Sequence, residues 1–421
     1  MAIYPYAILP AIPTSQATVC WIDTNNVGND MHLWYGHESV LADKTQLPGD
    51  NHWIYTAKIS GLERNTKYSA EIREGESVIS SVSFKTFPSM LSTELKIVHV
   101  SDLHIDDSNG MNNANEMDVI ASNNPDALLI SGDSFTYATE VSTTNRDKWI
   151  GFFSNYISKL NTSKEHLVPI LHAPGNHEVG NHTWTGTGSV TPSAGLFQSF
   201  FDNPKNLNPV GENYGQITFG NYLQVIALDT HSALPGTVGS WLADNVSSSI
   251  PVCIPFYHSP MLPGGEREAN DLTLQESLRS AWAKIFSDSE SIKFTLCGHI
   301  HLRKRSVPYQ VVGTDPGGNN FDLGDGNYLK ESAGGTIEIG DGYRSDRSTW
   351  SQWYLAATGT GKQYKLITIG PGNIKLEAKD TADTSFYTQN WNFSYPYIDI
   401  SGRTIKKILS GGVERYIREV R

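Results

Sequence analysis

The chain is short of cysteine, of positive relative to negative charge and of long apolar runs, and each shortage excludes a class of protein. Only Cys20, Cys253 and Cys297 occur in 421 residues. An odd number without repeated spacing gives neither a disulfide framework nor a zinc cage. Each cysteine sits in an apolar, strand-like run, where a small buried hydrophobe is expected. No stretch reaches the roughly 20 apolar residues that span a bilayer. Met1 to Pro13 lacks a basic stretch followed by a long apolar one, so no secretory signal is expected and the chain reads as soluble. A form whose signal had been removed would look the same, which leaves the cytoplasm and an extracellular or virion setting both open. Charged residues make up 18 %, with a net charge of −12. That balance repels a phosphate-rich polymer unless a basic or metallic patch overrides it, so nucleic acid is not the expected partner. The hydrophobic share of 38 % is ordinary, and the length allows two or three domains with full cores.

Residues 1–90 read as short strands between turns. The runs are Ala17 to Ile22, Met31 to Tyr35, Trp53 to Ile59, Tyr68 to Ile72 and Val78 to Phe84, punctuated by Asn25-Asn26, Gly28-Asn29-Asp30 and Pro48-Gly49-Asp50. Strands at this spacing predict a β-sandwich. Gly61 to Tyr68 resembles the tyrosine corner of such sandwiches, and Phe84-Lys85-Thr86-Phe87-Pro88 the exit from a fibronectin type III-like domain. The role expected for it is a rigid spacer or wall.

The character changes near Leu91. Lys96 to Val100, Ala127 to Ile130, Leu167 to Leu171, Ile250 to Tyr257 and Ile292 to Cys297 are apolar strands, each followed at its C-terminal end by polar residues. Helices are expected at Asp147–Leu160 and Leu274–Phe286, and a hairpin at Tyr364–Ile369 and Asn373–Ala378 across Gly370-Pro371-Gly372. In layered α/β folds ligands collect at the C-terminal strand edge. A second domain is expected over residues 91–395, and an appended, Lys- and Arg-richer segment over 396–421.

A lone aspartate after a strand is usually a cap or turn residue. Here the combination carries the meaning. Asp102-Leu103-His104, Gly132-Asp133, Gly175-Asn176-His177, His258 and Gly298-His299-Ile300-His301 follow one another in that order. Residues two apart in an extended segment share a face, so Asp102 with His104, and His299 with His301, can reach one ion or neighbouring ions. Imidazole mixed with carboxylate suits divalent transition metals, whereas calcium prefers oxygen alone.

This order resembles the calcineurin-like metallophosphoesterase superfamily over roughly residues 95 to 380. With the sandwich in front, and with Arg303 to Tyr309 after the last histidine, the layout is similar to the purple acid phosphatases. The resemblance implies an α/β (α+β) fold, a four-layer αββα sandwich behind the N-terminal β-sandwich. It implies two divalent metal ions, with manganese, iron, zinc and nickel all fitting the ligands. By the same resemblance Asp102, His104 and His301 bind one ion, Asn176, His258 and His299 bind the other, and Asp133 bridges them. His177 then faces the substrate as the catalytic side chain. The implied activity is hydrolysis of phosphomonoesters or phosphodiesters by a metal-bound hydroxide.

Two positions depart from the purple branch, which has glycine in place of His104 and a tyrosine ligand in place of Thr136. Tyr137 stands one residue further on, so a tyrosinate–iron(III) site is not implied. His99 and His172 are expected behind the ligands or in the core. His182, His231 and Arg267 are candidates to line the substrate pocket. The other reading is an extracellular or virion binding or structural protein with a silent metal site, against which the complete ligand set argues.

Overall fold

The computed structural model describes residues 3–24, 28–48, 51–136, 142–179, 195–201, 213–265, 269–340, 342–344, 348–349, 351–393, 396–398, 404–410 and 413–418. Its centre is a pair of sheets. One has ten strands, in the order Ser385–Asn392, Asn373–Lys379, Tyr364–Gly370, Leu95–Val100, Ala127–Ser131, Pro169–Ala173, Ile3–Ile8, Ala17–Asp23, Trp53–Ile59 and Asp43–Gln46. The other has seven, in the order Gly215–Phe219, Leu223–Leu228, Val252–Tyr257, Phe294–Leu296, Ile337–Gly340, Arg303–Ser306 and Leu355–Gly359.

The two-residue period of a strand explains the layering. Ile97, Leu129 and Leu171 face the second sheet and pack there with Val225, Ile254 and Leu296. Their chain neighbours Val98, Leu128, Ile130 and Ile170 face the other way, against Met117, Ile120, Trp149, Phe152 and Phe153. Those partners come from the helix Glu116–Ser122 and from a longer helical run. On the far side, Ile226, Cys253 and Tyr257 pack under Val238, Leu242, Leu278 and Trp282 of the helices Pro235–Asn245 and Ala269–Asp288. The layers are therefore helix, sheet, sheet, helix. Strands covered on both faces must be apolar throughout, which is why these runs show no alternation in the sequence.

The helix expected at Asp147–Leu160 is longer and not uniform. It runs from Thr143 to Gly151, widens into a π-helical stretch at Phe152–Ile157 and resumes at Ser158–Lys164. The Ser142 hydroxyl caps its start by accepting the Asn145 N–H, and Glu165 ends it in the left-handed region with φ 56°. The hairpin is present as Tyr364–Gly370 and Asn373–Lys379. All three cysteines are buried thiols that take part in no disulfide.

In the N-terminal region a four-stranded sheet, Glu38–Leu41, His32–Tyr35, Lys67–Glu74 and Ser77–Lys85, lies across from Ala17–Asp23 and Trp53–Ile59. Val19, Trp21, Leu33, Tyr55, Ile72 and Phe84 fill the space between. The Tyr68 hydroxyl accepts the Glu63 N–H at 2.7 Å, the bond back to the upstream backbone that the local sequence suggests. One strand escapes sequence reading. Ile3–Ile8, interrupted by Pro5, pairs in parallel with Pro169–Ala173 and antiparallel with Ala17–Asp23. It makes the N-terminal strands continuous with the sheet that carries the polar strand ends.

Candidate metal centre

Three parallel strands of the first sheet, Leu95–Val100, Ala127–Ser131 and Pro169–Ala173, and three of the second, Leu223–Leu228, Val252–Tyr257 and Phe294–Leu296, release their chains at one common edge. Loop contacts close that edge. The His258 Nδ1–H donates to the Ser131 carbonyl at 2.7 Å, and the Asp102 carboxylate accepts the His299 N–H at 3.0 and 2.9 Å. Glycine is needed where the loops pass. A Cβ on Gly132 (φ +85°) would come within 2.6 Å of His258 Nδ1, and one on Gly298 within 1.8 Å of Ser101 Oγ.

The backbone is strained where the polar side chains leave it. Among the described residues ten non-glycine positions have positive φ, and five of them are Asp102, His104, Asp133, His299 and His301. Side chains held so often in a disfavoured region belong to a site whose geometry the surroundings enforce.

Two buried groups result. Asp102, His104, Asp133 and His301 offer ligand atoms within 4.8 Å of one another, and so do His231, His258 and His299. In the first, His104 Nε2 lies 3.2 Å from His301 Nε2, and His301 Nε2 lies 3.3 Å from Asp102 Oδ1. In the second, His258 Nε2 is 3.0 Å from Asn176 Oδ1 and 3.1 Å from His299 Nδ1. Asp133, a member of the first group, also approaches the second: its Oδ2 is 3.8 Å from His104 Nε2 and 3.1 Å from His258 Nε2.

These residues fit cations. The Asp133 Oδ2 atom is buried and accepts no well-aligned hydrogen bond. The Ser131 carbonyl holds the proton on His258 Nδ1, which turns the Nε2 lone pair towards Asp133 and Asn176. Burial disfavours charge on His258, but Asp133 and Asp102 outweigh it and push the pKa up to about 9, so the surroundings favour positive charge at this position. Burial lowers His104 to about 4 against the pull of Asp133 and Asp102, so this imidazole is neutral and ready to ligate. Burial raises the Asp133 pKa, yet the neighbouring histidines hold the group well below the usual carboxylate range.

His177 also reaches Asp133. Its N–H donates to Asp133 Oδ1 at 3.0 Å, its Nε2 is 3.7 Å from Asp133 Oδ2, and its side chain is 17 % exposed. His99 and His172 lie behind the loops, His99 Nε2 2.8 Å from Ser131 Oγ and His172 Nε2 2.8 Å from Ser134 Oγ. His231 is buried among the metal-capable histidines. Tyr137, His182 and Arg267 lie outside the described residues.

Glu178 is the participant that sequence reading misses. Fully buried, it accepts the backbone N–H groups of Asp133 (2.7 Å), Ser134 (2.8 Å) and Gly175 (2.8 Å). Burial and the charge of Asp133 push its pKa up to about 7. The only signal was its place directly after Gly175-Asn176-His177.

Residues 95–303 match the family model described as calcineurin-like phosphoesterase, and that span contains every side chain of the two groups. The chain carries a calcineurin-like phosphoesterase domain. It is thereby a phosphoric ester hydrolase by class. Around this phosphoesterase domain the fold is similar to that of the purple acid phosphatase PPD1 from seeds of yellow lupin (Lupinus luteus), with a TM-score of 0.64, 17 % identity, and 93 % of this chain and 74 % of that one covered. It is also similar to the structure of PhoD, with a TM-score of 0.62, 13 % identity, and 99 % and 92 % covered. No curated protein sequence matches the chain. Among the described residues no helix is long and apolar enough to cross a membrane.

Proposed function

We propose that the phosphoesterase domain hydrolyses phosphomonoesters and phosphodiesters with two divalent ions. Asp102, His104 and His301 hold one, Asn176, His258 and His299 hold the other, and Asp133 bridges them. The observation that carries the reading is the position of the Asp133 carboxylate, 3.1 Å from one histidine set and 3.8 Å from the other. Bound there, such ions supply Lewis acidity towards a phosphoryl oxygen and make water a competent nucleophile near neutral pH.

The chain's own residues do the rest. Ser131 fixes the His258 tautomer through its carbonyl. Ser101 and the His299 N–H orient Asp102, and Glu178 clamps the loop that carries Asp133. Histidines outnumber carboxylates, so the occupied site keeps net positive charge and draws an anionic ester towards an acidic protein. His177, partly exposed beside Asp133, steadies charge on the departing group or protonates the leaving oxygen. Residues 1–90 serve as a rigid wall and 396–421 as an appended segment, with His182 and Arg267 left as candidate substrate contacts.

Chelation followed by readdition of manganese, zinc, nickel or iron tests the reading, using p-nitrophenyl phosphate and bis(p-nitrophenyl) phosphate. Activity lost on chelation and restored by an ion on at least one ester supports it. No hydrolysis of either ester with metals bound overturns it.

A further inference from the structure

The turn after the strand Leu223–Leu228 delivers a histidine that the ligand scheme above leaves out. Leu228 pairs with Tyr257 in parallel register, so Asp229-Thr230-His231 leaves the sheet beside His258. The turn is held from both ends. Asp229 Oδ1 accepts the N–H groups of His231 and Ser232, both at 2.8 Å, and Thr230 Oγ1 accepts the Ser259 N–H at 3.1 Å. The second of these ties the turn to the residue following His258.

Three rings then form a near-regular triangle. The His231 centroid lies 5.4 Å from that of His258 and 5.4 Å from that of His299, which are 4.9 Å from each other. The planes are inclined by 56°, 57° and 68°, so no pair stacks. One ring nitrogen from each comes within 4.8 Å of the other two. Nitrogens that share an ion at about 2.1 Å each stand up to about 4.2 Å apart, so small ring rotations bring all three into range. Burial separates His231 from a substrate contact: it is 2 % exposed, whereas the His177 side chain is 17 % exposed.

We propose that His231 is a third imidazole ligand of the cation held by His258 and His299. The inference rests on the two-ion reading above. It makes the two positions chemically unequal. The Asp102 side has two imidazoles and two carboxylates, counting Asp133. The His258 side has three imidazoles, the Asn176 amide and the shared carboxylate. Nitrogen-rich sets favour zinc or nickel over manganese, so the His258 side binds such ions more tightly.

The test is chelator competition on the zinc- or cobalt-loaded full chain, for wild type, His231→Ala and His231→Gln, with cobalt absorption as a second readout. The expected result is two equivalents in wild type. In both variants one equivalent is weakened by about 10-fold or more, the cobalt spectrum changes, and the midpoint of thermal unfolding is unchanged after chelation but rises less on metal addition. Two metal steps unchanged in the variants, with a raised KM for p-nitrophenyl phosphate, would overturn the proposal and return His231 to the substrate pocket. Equal falls in the chelated and loaded midpoints of both variants, with metal affinity intact, would make His231 a packing residue and also overturn it. A wild type that takes up only one equivalent refutes the two-ion reading itself, whatever the variants do.

Discussion

The Thr136 hydroxyl lies 3.1 Å from Nδ1 of His104. Thr136 and His104 are the two positions at which the chain departs from the purple branch, and the structure joins them. Where that branch has a tyrosine ligand and a glycine, this chain has a histidine whose second ring nitrogen is steadied by the threonine. The bond leaves Nε2 pointing at His301 and Asp133. On the ligand set proposed above, the two departures are one exchange, imidazole nitrogen for phenolate oxygen.

The exchange predicts a protein without violet charge-transfer colour when loaded with iron. Absorption spectroscopy of the iron-loaded chain checks it, and an intense visible band abolished by Tyr137→Phe would contradict it. Thr136→Val should lower metal affinity by about 10-fold through loss of the bond that orients His104, measured by chelator competition.

His177→Ala should keep its metal content and lose turnover by roughly 10²–10⁴-fold if the imidazole acts as a general acid. The loss should be larger for an alkyl phosphate, whose leaving oxygen needs a proton, than for p-nitrophenyl phosphate. Equal losses would leave His177 as a charge stabiliser only, and loss of metal would make it a ligand.

Much of this site is legible in the residue order because its chemistry is local to strand ends. Asp102, His104, Asp133, Asn176, His258, His299 and His301 each follow an apolar run, and that spacing is visible without coordinates. Glu178 was not legible: its role is to accept three backbone N–H groups from two loops, and no side-chain pattern marks backbone donors. Ile3–Ile8 was hidden by Pro5 and by a partner more than 160 residues away at Pro169. His231 reads in the sequence as one histidine of a turn, and only the parallel register of Leu228 with Tyr257 places it beside His258.

Glu178→Ala should unfold the chain more readily than most single changes. It strands three backbone donors in a buried place, at roughly 1–3 kcal/mol each when unsatisfied. Denaturant titration should show a lower midpoint even with metal in excess, and an unchanged midpoint would mean that water replaces the carboxylate.

Lys304 and Glu338 form a fully buried ion pair, Nζ to Oε1 at 2.6 Å, and Glu338 also accepts the N–H groups of Met261 and Leu262, both at 2.9 Å. The pair thus holds the loop that follows His258. Lys304→Met leaves a buried carboxylate without its cation and should destabilise by about 3–5 kcal/mol. The double variant Lys304→Met/Glu338→Gln should recover part of that loss. Chemical denaturation compares the two, and a double variant less stable than Lys304→Met would refute the assignment.

In the proposed chemistry Asp133 is shared by two cations that together hydrolyse a phosphate ester. Metal content and turnover of purified Asp133→Ala, beside wild type prepared identically, test it most directly. Two equivalents and turnover are expected in wild type, and loss of both metal retention and turnover in the variant. An Asp133→Ala protein that keeps both metals and hydrolyses p-nitrophenyl phosphate at the wild-type rate would contradict it.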